Sequence, residues 1–313
     1  MSTYQHPAFT PVGSVVPDPP APGTPEWSRL ITASKIPAIL GLSSWDSPYS
    51  LWCKATGRIE AGGPADAAQA RGTALEGALL AWLGTVLGGS RVRPGATYEL
   101  DTHPTWQAAP DGLVYEGRRR TPYALVECKT AARGDEWGRT SLEDPTAEIP
   151  PAYLAQVAWQ MHVTGADLVY VPALVVMDLR LYRVTRADVE DALPGIVAAA
   201  GRFEDLIQSD TAPDWDGAEV TYTAARAVHA GIDPDAEASI SNADAVELHA
   251  AVAAKKAAEE RERLIKCRVL GATGTARTIT DEDGIKVALR VPAKGGPSLR
   301  LSKYESLVLK AVA

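Results

Sequence analysis

Asp111, Glu127 and Lys129 are the residues of this chain whose types and spacing could do chemistry. An acid opens Asp111-Gly112-Leu113-Val114, and an apolar run ends Ala124-Leu125-Val126-Glu127-Cys128-Lys129. Side chains of a strand alternate faces, so Glu127 and Lys129 share one face while Val126 and Cys128 take the other. Between the two runs, the stretch from Tyr115 to Tyr123 holds Gly117 and Arg118-Arg119-Arg120 and reads as a hairpin turn, which sets Asp111 and Glu127 on adjacent strands. Paired carboxylates suit hard divalent cations such as Mg²⁺ or Mn²⁺, whose usual setting is one or two carboxylates plus substrate phosphate. A neighbouring lysine can orient or help deprotonate an attacking water, while the cation stabilises charge developing on the phosphate. The alternative for the same residues is a hairpin closed by a salt bridge, because Glu-x-Lys alone is a common fragment.

The elements that must position these residues follow from periodicity and turn chemistry. Residues 1–26 are rich in Pro, Gly, Ser and Thr and read as a mobile N-terminal arm. The core spans 27–210. It is expected to hold helices over 35–40, 47–56 and 69–87, then strands over 92–100, 108–115 and 123–129. A surface stretch over 131–150 precedes a helix carrying Gln156 and Gln160, which are neighbours one turn apart. Strands over 168–176 and 179–185 and a helix over 188–208 complete the core. Residues 211–313 form an appendage, with a charge-rich helix over 236–270 and strands around Asp283-Gly284 over 273–301. The alternation predicts an α/β (α+β) fold, a central mixed β-sheet flanked by helices with a C-terminal helix and β-hairpin.

The order of several short stretches extends the reading. Arg29-Leu30-Ile31-Thr32-Ala33-Ser34 comes first, then Ile39-Leu40-Gly41-Leu42 and Ser47-Pro48-Tyr49-Ser50-Leu51-Trp52. Arg71-Gly72-Thr73-Ala74-Leu75-Glu76, Ala109-Pro110-Asp111-Gly112, Val126-Glu127-Cys128-Lys129 and Tyr153-Leu154-Ala155-Gln156-Val157-Ala158-Trp159-Gln160 follow. In this order they resemble the phage recombination exonucleases, the lambda exonuclease and YqaJ group of the PD-(D/E)XK nuclease superfamily, over about half of the chain. The resemblance implies a restriction-endonuclease-like core. It makes Asp111 and Glu127 metal carboxylates with the Cys128 main-chain carbonyl as a further ligand, Lys129 the residue acting on water, and Glu76 a residue that binds or orients a metal. It implies that Gln156 supports the lysine or the water, and that Ser34, Arg29 and Arg71 contact DNA or its terminal 5′ phosphate.

The same resemblance implies Mg²⁺, with Mn²⁺ substituting and two ions bound, and a 5′-to-3′ exonuclease acting on double-stranded DNA ends. The product would be a 3′ overhang passed to a single-strand annealing protein, and the assembly a homo-oligomer, trimeric in the lambda enzyme. Two alternatives stay open: an endonuclease or nickase on the same core, and a non-catalytic DNA-end-binding protein. Each residue also has a structural alternative. Glu76 could be a polar-face residue of a helix whose stripe is Leu75, Leu79, Leu80 and Leu83, Gln156 could satisfy buried backbone, and Ser34 could cap the helix beginning near Lys35.

Composition bounds these readings. The 313 residues carry a net charge of −8, which argues against a large nonspecific DNA-coating surface and not against an enzyme that threads DNA ends. Cys53, Cys128 and Cys267 are odd in number and widely separated, which suits a reducing compartment and excludes a four-cysteine iron–sulfur cluster. No apolar run is long enough to span a bilayer, and a cytoplasmic location with no membrane partner is expected. His103, His162 and His229 have no metal-ligand spacing.

Overall fold

The computed structural model describes residue 9 and residues 12–62 and 67–302. Most of the first ten residues expected in the arm, part of the Gly- and Ala-rich loop before the third helix, and the C-terminal end of the appendage lie outside the described residues. The chain divides into two compact units, residues 1–232 and 233–313.

In the first unit the order is β1 (Ser14–Val15), α1 (Pro25–Ser28), β2 (Ile31–Thr32), a 3-10 turn (Ala33–Lys35), α2 (Ile36–Ile39), α3 (Pro48–Ala55) and α4 (Ala67–Val86). Then come β3 (Ser90–Pro94), β4 (Tyr98–Leu100), β5 (His103–Ala108), β6 (Gly112–Glu116), β7 (Ala124–Val126), β8 (Lys129–Ala131) and α5 (Pro151–Thr164). The unit closes with β9 (Leu168–Val175), β10 (Asp178–Thr185), α6 (Arg186–Val189), α7 (Leu193–Gln208) and α8 (Glu219–Val228).

The large sheet has the order β10-β9-β7-β6-β3, with β8 also paired to β9. Its centre is mixed: β6 and β7 are antiparallel, with Gly112 opposite Val126, whereas β7 and β8 run parallel to β9. Parallel neighbours need a crossover, and α5 supplies it between β8 and β9. Pro151 begins α5 at a position where a missing N–H costs nothing, and Gly165 ends it in the left-handed region at φ 76°. One face of the sheet is covered by α4, with Leu83, Val114 and Val126 in one apolar cluster. The other face packs with α5, whose Val157, Ala158, Trp159 and Met161 are fully buried or nearly so.

Several expectations are corrected. The strand over 92–100 breaks at Gly95 into β3 and β4, which belong to different sheets, and the Pro110 carbonyl oxygen packs so close there that a Cβ would stand 1.9 Å from it. Instead Gly95 N–H donates to the Asp111 carbonyl at 3.0 Å. A second sheet, β1-β4-β5-β2, joins segments far apart in sequence, with β2 parallel to β5. The arm reaches into the core: Phe9 is buried, and Ser14 and Val15 pair with Glu99 and Tyr98. The helix over 188–208 is interrupted between Val189 and Leu193, just before Pro194, which occupies the first turn of α7. Where the sequence reading starts the appendage at 211, the compact division falls at 233, because α8 packs on α3 and the Thr221 hydroxyl meets the Ser47 hydroxyl at 2.6 Å.

The second unit contains α9 (Asn242–Thr273) and a three-stranded antiparallel sheet of β11 (Thr278–Thr280), β12 (Lys286–Val291) and β13 (Ser298–Leu301). Ser241 caps α9, accepting from Asp244 N–H at 3.0 Å, and no side chain of this helix is buried. Cys267 lies exposed on it, while Cys53 is buried and Cys128 is half-buried against α4. Burial pushes both the Cys53 and Cys128 thiols up, and the Asp111 and Glu127 charges push Cys128 further. Alkylation of the native protein at neutral pH is therefore expected to add one equivalent of iodoacetamide, at Cys267. Peptide mass spectrometry checks this, and modification of Cys128 at a comparable rate would contradict the upward push on its thiol.

Candidate active site

Glu127 and Lys129 emerge where the central strand leaves its ladder. Val126 pairs with Tyr170 and Lys129 with Ala173, so the register on β9 is kept across the gap between β7 and β8. In the gap one main-chain donor turns to a new partner. Glu127 N–H still reaches the Tyr170 carbonyl at 3.0 Å, while Cys128 N–H donates to Asp111 Oδ2 at 2.6 Å. The hairpin thus joins its two acidic ends through one backbone hydrogen bond.

Gly112 allows β6 to lie this close. A Cβ there would stand 2.7 Å from Leu80 Cδ2 and 3.3 Å from Val126 Cβ. Gly112→Ala is expected to cost about 1–3 kcal/mol through overpacking between α4 and the sheet. Thermal unfolding measures this, and an unchanged midpoint would show that the layer can give way.

Glu127 is 3% exposed and almost saturated with donors. Lys129 Nζ donates to its Oε1 at 2.5 Å, Gln156 Nε2 to the same oxygen at 2.6 Å, and Gln160 Nε2 to Oε2 at 2.6 Å. Gln156 Oε1 in turn accepts from Lys129 Nζ at 3.0 Å. The i and i+4 spacing on α5 aims both amides at one carboxylate. A carboxylate offers about four lone-pair positions, so three donors leave room for one further partner. Tyr153, one turn before Gln156, places its ring 4.8 Å from Lys129 Nζ and is itself held by Trp137, 5.6 Å away between ring centroids.

Electrostatics follow from this enclosure. The Asp111 carboxyl is pushed up to about 8, first by burial and next by the Glu127 charge, with Glu76 adding a smaller push in the same direction. Burial alone would pull the Lys129 ammonium down, yet the Glu127 carboxylate and its hydrogen bond hold it above the ordinary lysine value. Lys129 is therefore a fixed cation at neutral pH.

A cavity of about 130 Å³ opens on these groups, lined by Gly72, Glu76, Leu79, Asp111, Glu127, Cys128, Lys129 and Thr130. Arg71 reaches its rim, with Nε 3.4 Å from the Thr130 hydroxyl. Five of the sequence-derived positions, Glu76, Asp111, Glu127, Cys128 and Lys129, thus line one cavity, and Gln156 supports it from behind. Thr130, Gly72 and Tyr153 were not singled out from the sequence. Tyr153 was legible as the residue three before Gln156, on the same helix face.

Ser34 and Arg29 are not among the cavity-lining residues. Ser34 is exposed in the 3-10 turn, its hydroxyl 3.1 Å from that of Thr32, and it caps no helix, since α2 has no side-chain cap. Arg29 is exposed at the end of α1. The segment between them is braced by buried Lys35, whose Nζ donates to the carbonyls of Trp27, Ser28 and Leu30 at 2.6, 2.9 and 2.7 Å.

The donor set fits a hard divalent cation. Burial and mutual repulsion raise Asp111, and a cation shared with Glu127 would relieve the repulsion. Among the described residues no group of three or more His, Cys, Asp and Glu side chains gathers closely enough to hold a metal. Remaining oxygens would come from main chain, water or substrate, as is usual for Mg²⁺.

The fold is thus an α/β domain that carries Pro110-Asp111 and Glu127-Cys128-Lys129 at the end of a central hairpin. Over residues 27–167 the chain matches the family model of the YqaJ-like viral recombinase domain. No curated protein matches the chain. Among solved structures, an alkaline exonuclease (LHK-Exo) from Laribacter hongkongensis is similar at 20% identity and a TM-score of 0.42, over 66% of this chain and 100% of that one. LHK-Exo in complex with dAMP gives 19%, 0.44, 67% and 98%. SSO0001 gives 11%, 0.35, 67% and 88%.

Proposed function

We propose that this chain is a metal-dependent deoxyribonuclease, and most specifically an exonuclease that degrades one strand of double-stranded DNA from its 5′ end and leaves a 3′ overhang. The observation that carries the reading is the convergence of Asp111, Glu127 and Lys129 on one cavity, with Gln156 and Gln160 fixing Glu127 from α5. The match to a viral recombinase domain over 27–167 supports DNA as the substrate. Polarity, overhang, a single-strand annealing partner and a ring-shaped homo-oligomer rest on the family resemblance. So does a site of action in the cytoplasm of a bacterial host. No helix among the described residues is long and apolar enough to cross a membrane.

Asp111 and Glu127, with the Cys128 carbonyl, would hold Mg²⁺ or Mn²⁺, and Glu76 would hold or orient a second ion from α4. Such an ion supplies Lewis-acid stabilisation of the phosphate and lowers the pKa of water. The chain's own groups do the positioning. Gln156 and Gln160 fix the Glu127 carboxylate, so its remaining lone pair points in one direction. Lys129 orients the attacking water or helps deprotonate it, and its charge balances the charge building on the phosphate oxygens. Arg71 at the rim would take a neighbouring phosphate, and Arg29 and Ser34 the terminal one.

Linear duplexes with 5′-phosphate or 5′-hydroxyl ends, beside a closed circle of the same sequence, separate the readings. Mononucleotide release in Mg²⁺ from the phosphorylated linear DNA, with the circle intact, is the expected result. Cutting of the circle would establish the endonuclease alternative instead.

A further inference from the structure

The chain concentrates positive charge at one edge of the large sheet, outside the groups already assigned. β3 is the edge strand, and its register sets Arg93 opposite Leu113 and Arg91 opposite Tyr115. Residues directly opposite in a sheet point to the same side, and i and i+2 do likewise. Arg91, Arg93 and Tyr115 therefore share one face, and the two guanidiniums lie 5.3 and 5.8 Å from the Tyr115 ring centroid. The β6–β7 turn continues the row with Arg118, Arg119 and Arg120, all exposed. Arg91 ties strand to turn, donating from Nε to the Gly117 carbonyl and from an Nη to the Arg119 carbonyl, both at 2.6 Å. Arg119 pairs with Glu116 at 3.1 Å.

Five of the six residues in 91–93 and 118–120 are arginine, in a chain with 31 Lys and Arg among 313 residues and a net charge of −8. A solvated turn would account for one or two. It does not account for two arginines of one edge strand over the same aromatic ring, one of them hydrogen-bonded to the turn that carries three more. The row also begins beside the site: Arg93 is two residues from Gly95, whose N–H donates to the Asp111 carbonyl at 3.0 Å. From there to the turn the strand runs roughly 14 Å, at about 3.4 Å per residue.

We propose that Arg93, Arg91 and the Arg118–Arg120 turn form a track for the sugar–phosphate backbone of substrate DNA, leading between the carboxylate site and the tip of the hairpin. The occupant is a polyanion because guanidinium forks match phosphate oxygens and the local field opposes the charge of the whole chain. It is the substrate's own backbone because the track abuts the residues proposed to cut a phosphodiester. This deepens the nuclease reading and rests on it.

The test uses the full chain and a fluorescein-labelled duplex, with EDTA to prevent cleavage, and follows anisotropy against KCl concentration. Arg118→Gln with Arg120→Gln should lower the slope of log K against log salt by about 2, since each duplex phosphate contact contributes about 0.9. Arg93→Gln should lower it by about 1. Arg91 and Arg119 are left in place because Arg91 pins the turn to Arg119's carbonyl and Arg119 pairs with Glu116. Thermal unfolding midpoints should stay at the wild-type value, and cleavage in Mg²⁺ should weaken through KM more than kcat. Unchanged slopes in both variants, with wild-type chain that binds and cleaves DNA, would overturn the track alone. Wild-type chain that neither binds nor cleaves would overturn the nuclease reading beneath it.

Discussion

Lys129→Ala is expected to lower the rate of DNA hydrolysis by about 10³-fold, within the range typical for loss of a positioned catalytic group, while DNA affinity in EDTA changes little. The ammonium sits 2.5 Å from Glu127 Oε1 and 3.0 Å from Gln156 Oε1, over the Tyr153 ring, and it lines the cavity. Its removal deletes a cation from the reaction centre and leaves the exposed arginines in place. Lys129→Arg should not restore the rate, because a planar fork cannot take the geometry of a compact ammonium between Glu127, Gln156 and Tyr153. Single-turnover cleavage and anisotropy, measured on the same protein, separate the two effects. A variant with wild-type cleavage would remove Lys129 from the mechanism.

The second large effect is a stability that depends on pH and metal. In metal-free protein the Asp111 carboxyl is pushed up to about 8 by burial and by Glu127. An unfolded aspartate titrates near 3.9, so between about pH 4 and 8 the folded chain keeps a proton that the unfolded chain has lost. The stability tied to that proton is complete below the lower value and disappears as pH rises through the upper one. Metal-free protein should therefore lose on the order of a few kcal/mol between about pH 5 and pH 8 from this group. Asp111→Asn keeps an acceptor for Cys128 N–H and should flatten that part of the slope. It should also raise the metal-free midpoint at pH 8. Mg²⁺ favours the ionised pair and so should stabilise wild-type protein more at pH 8 than at pH 5. Melting curves of wild type and Asp111→Asn, with EDTA or Mg²⁺, decide this. A variant that keeps the wild-type slope would contradict the assignment.

The core of the site was legible because its determinants are local. Alternation gives the shared face of Glu127 and Lys129, a glycine-containing arginine turn gives the hairpin that carries Asp111, and a four-residue spacing gives the Gln156 and Gln160 pair. What the sequence hides is non-local. The pairing of Ile31 with Trp106 and of Ser14 with Glu99 joins segments that no short window contains, so the second sheet was not read. The break at Gly95 is legible only once the Pro110 carbonyl is known to lie against it. The departure of the Cys128 N–H from the ladder depends on Asp111 arriving to accept it. The arginine row is half visible: the turn stands out in the sequence, and its continuation through Arg91 and Arg93 appears only with the β3–β6 register.

Release of acid-soluble nucleotide from an end-labelled linear duplex, with wild-type and Asp111→Asn protein in Mg²⁺ and in EDTA, tests the central claim most directly. Release by wild-type protein in Mg²⁺, and in no other combination, is the expected result. No release in Mg²⁺ or Mn²⁺, or equal release by Asp111→Asn, would contradict a metal-dependent nuclease built on Asp111, Glu127 and Lys129.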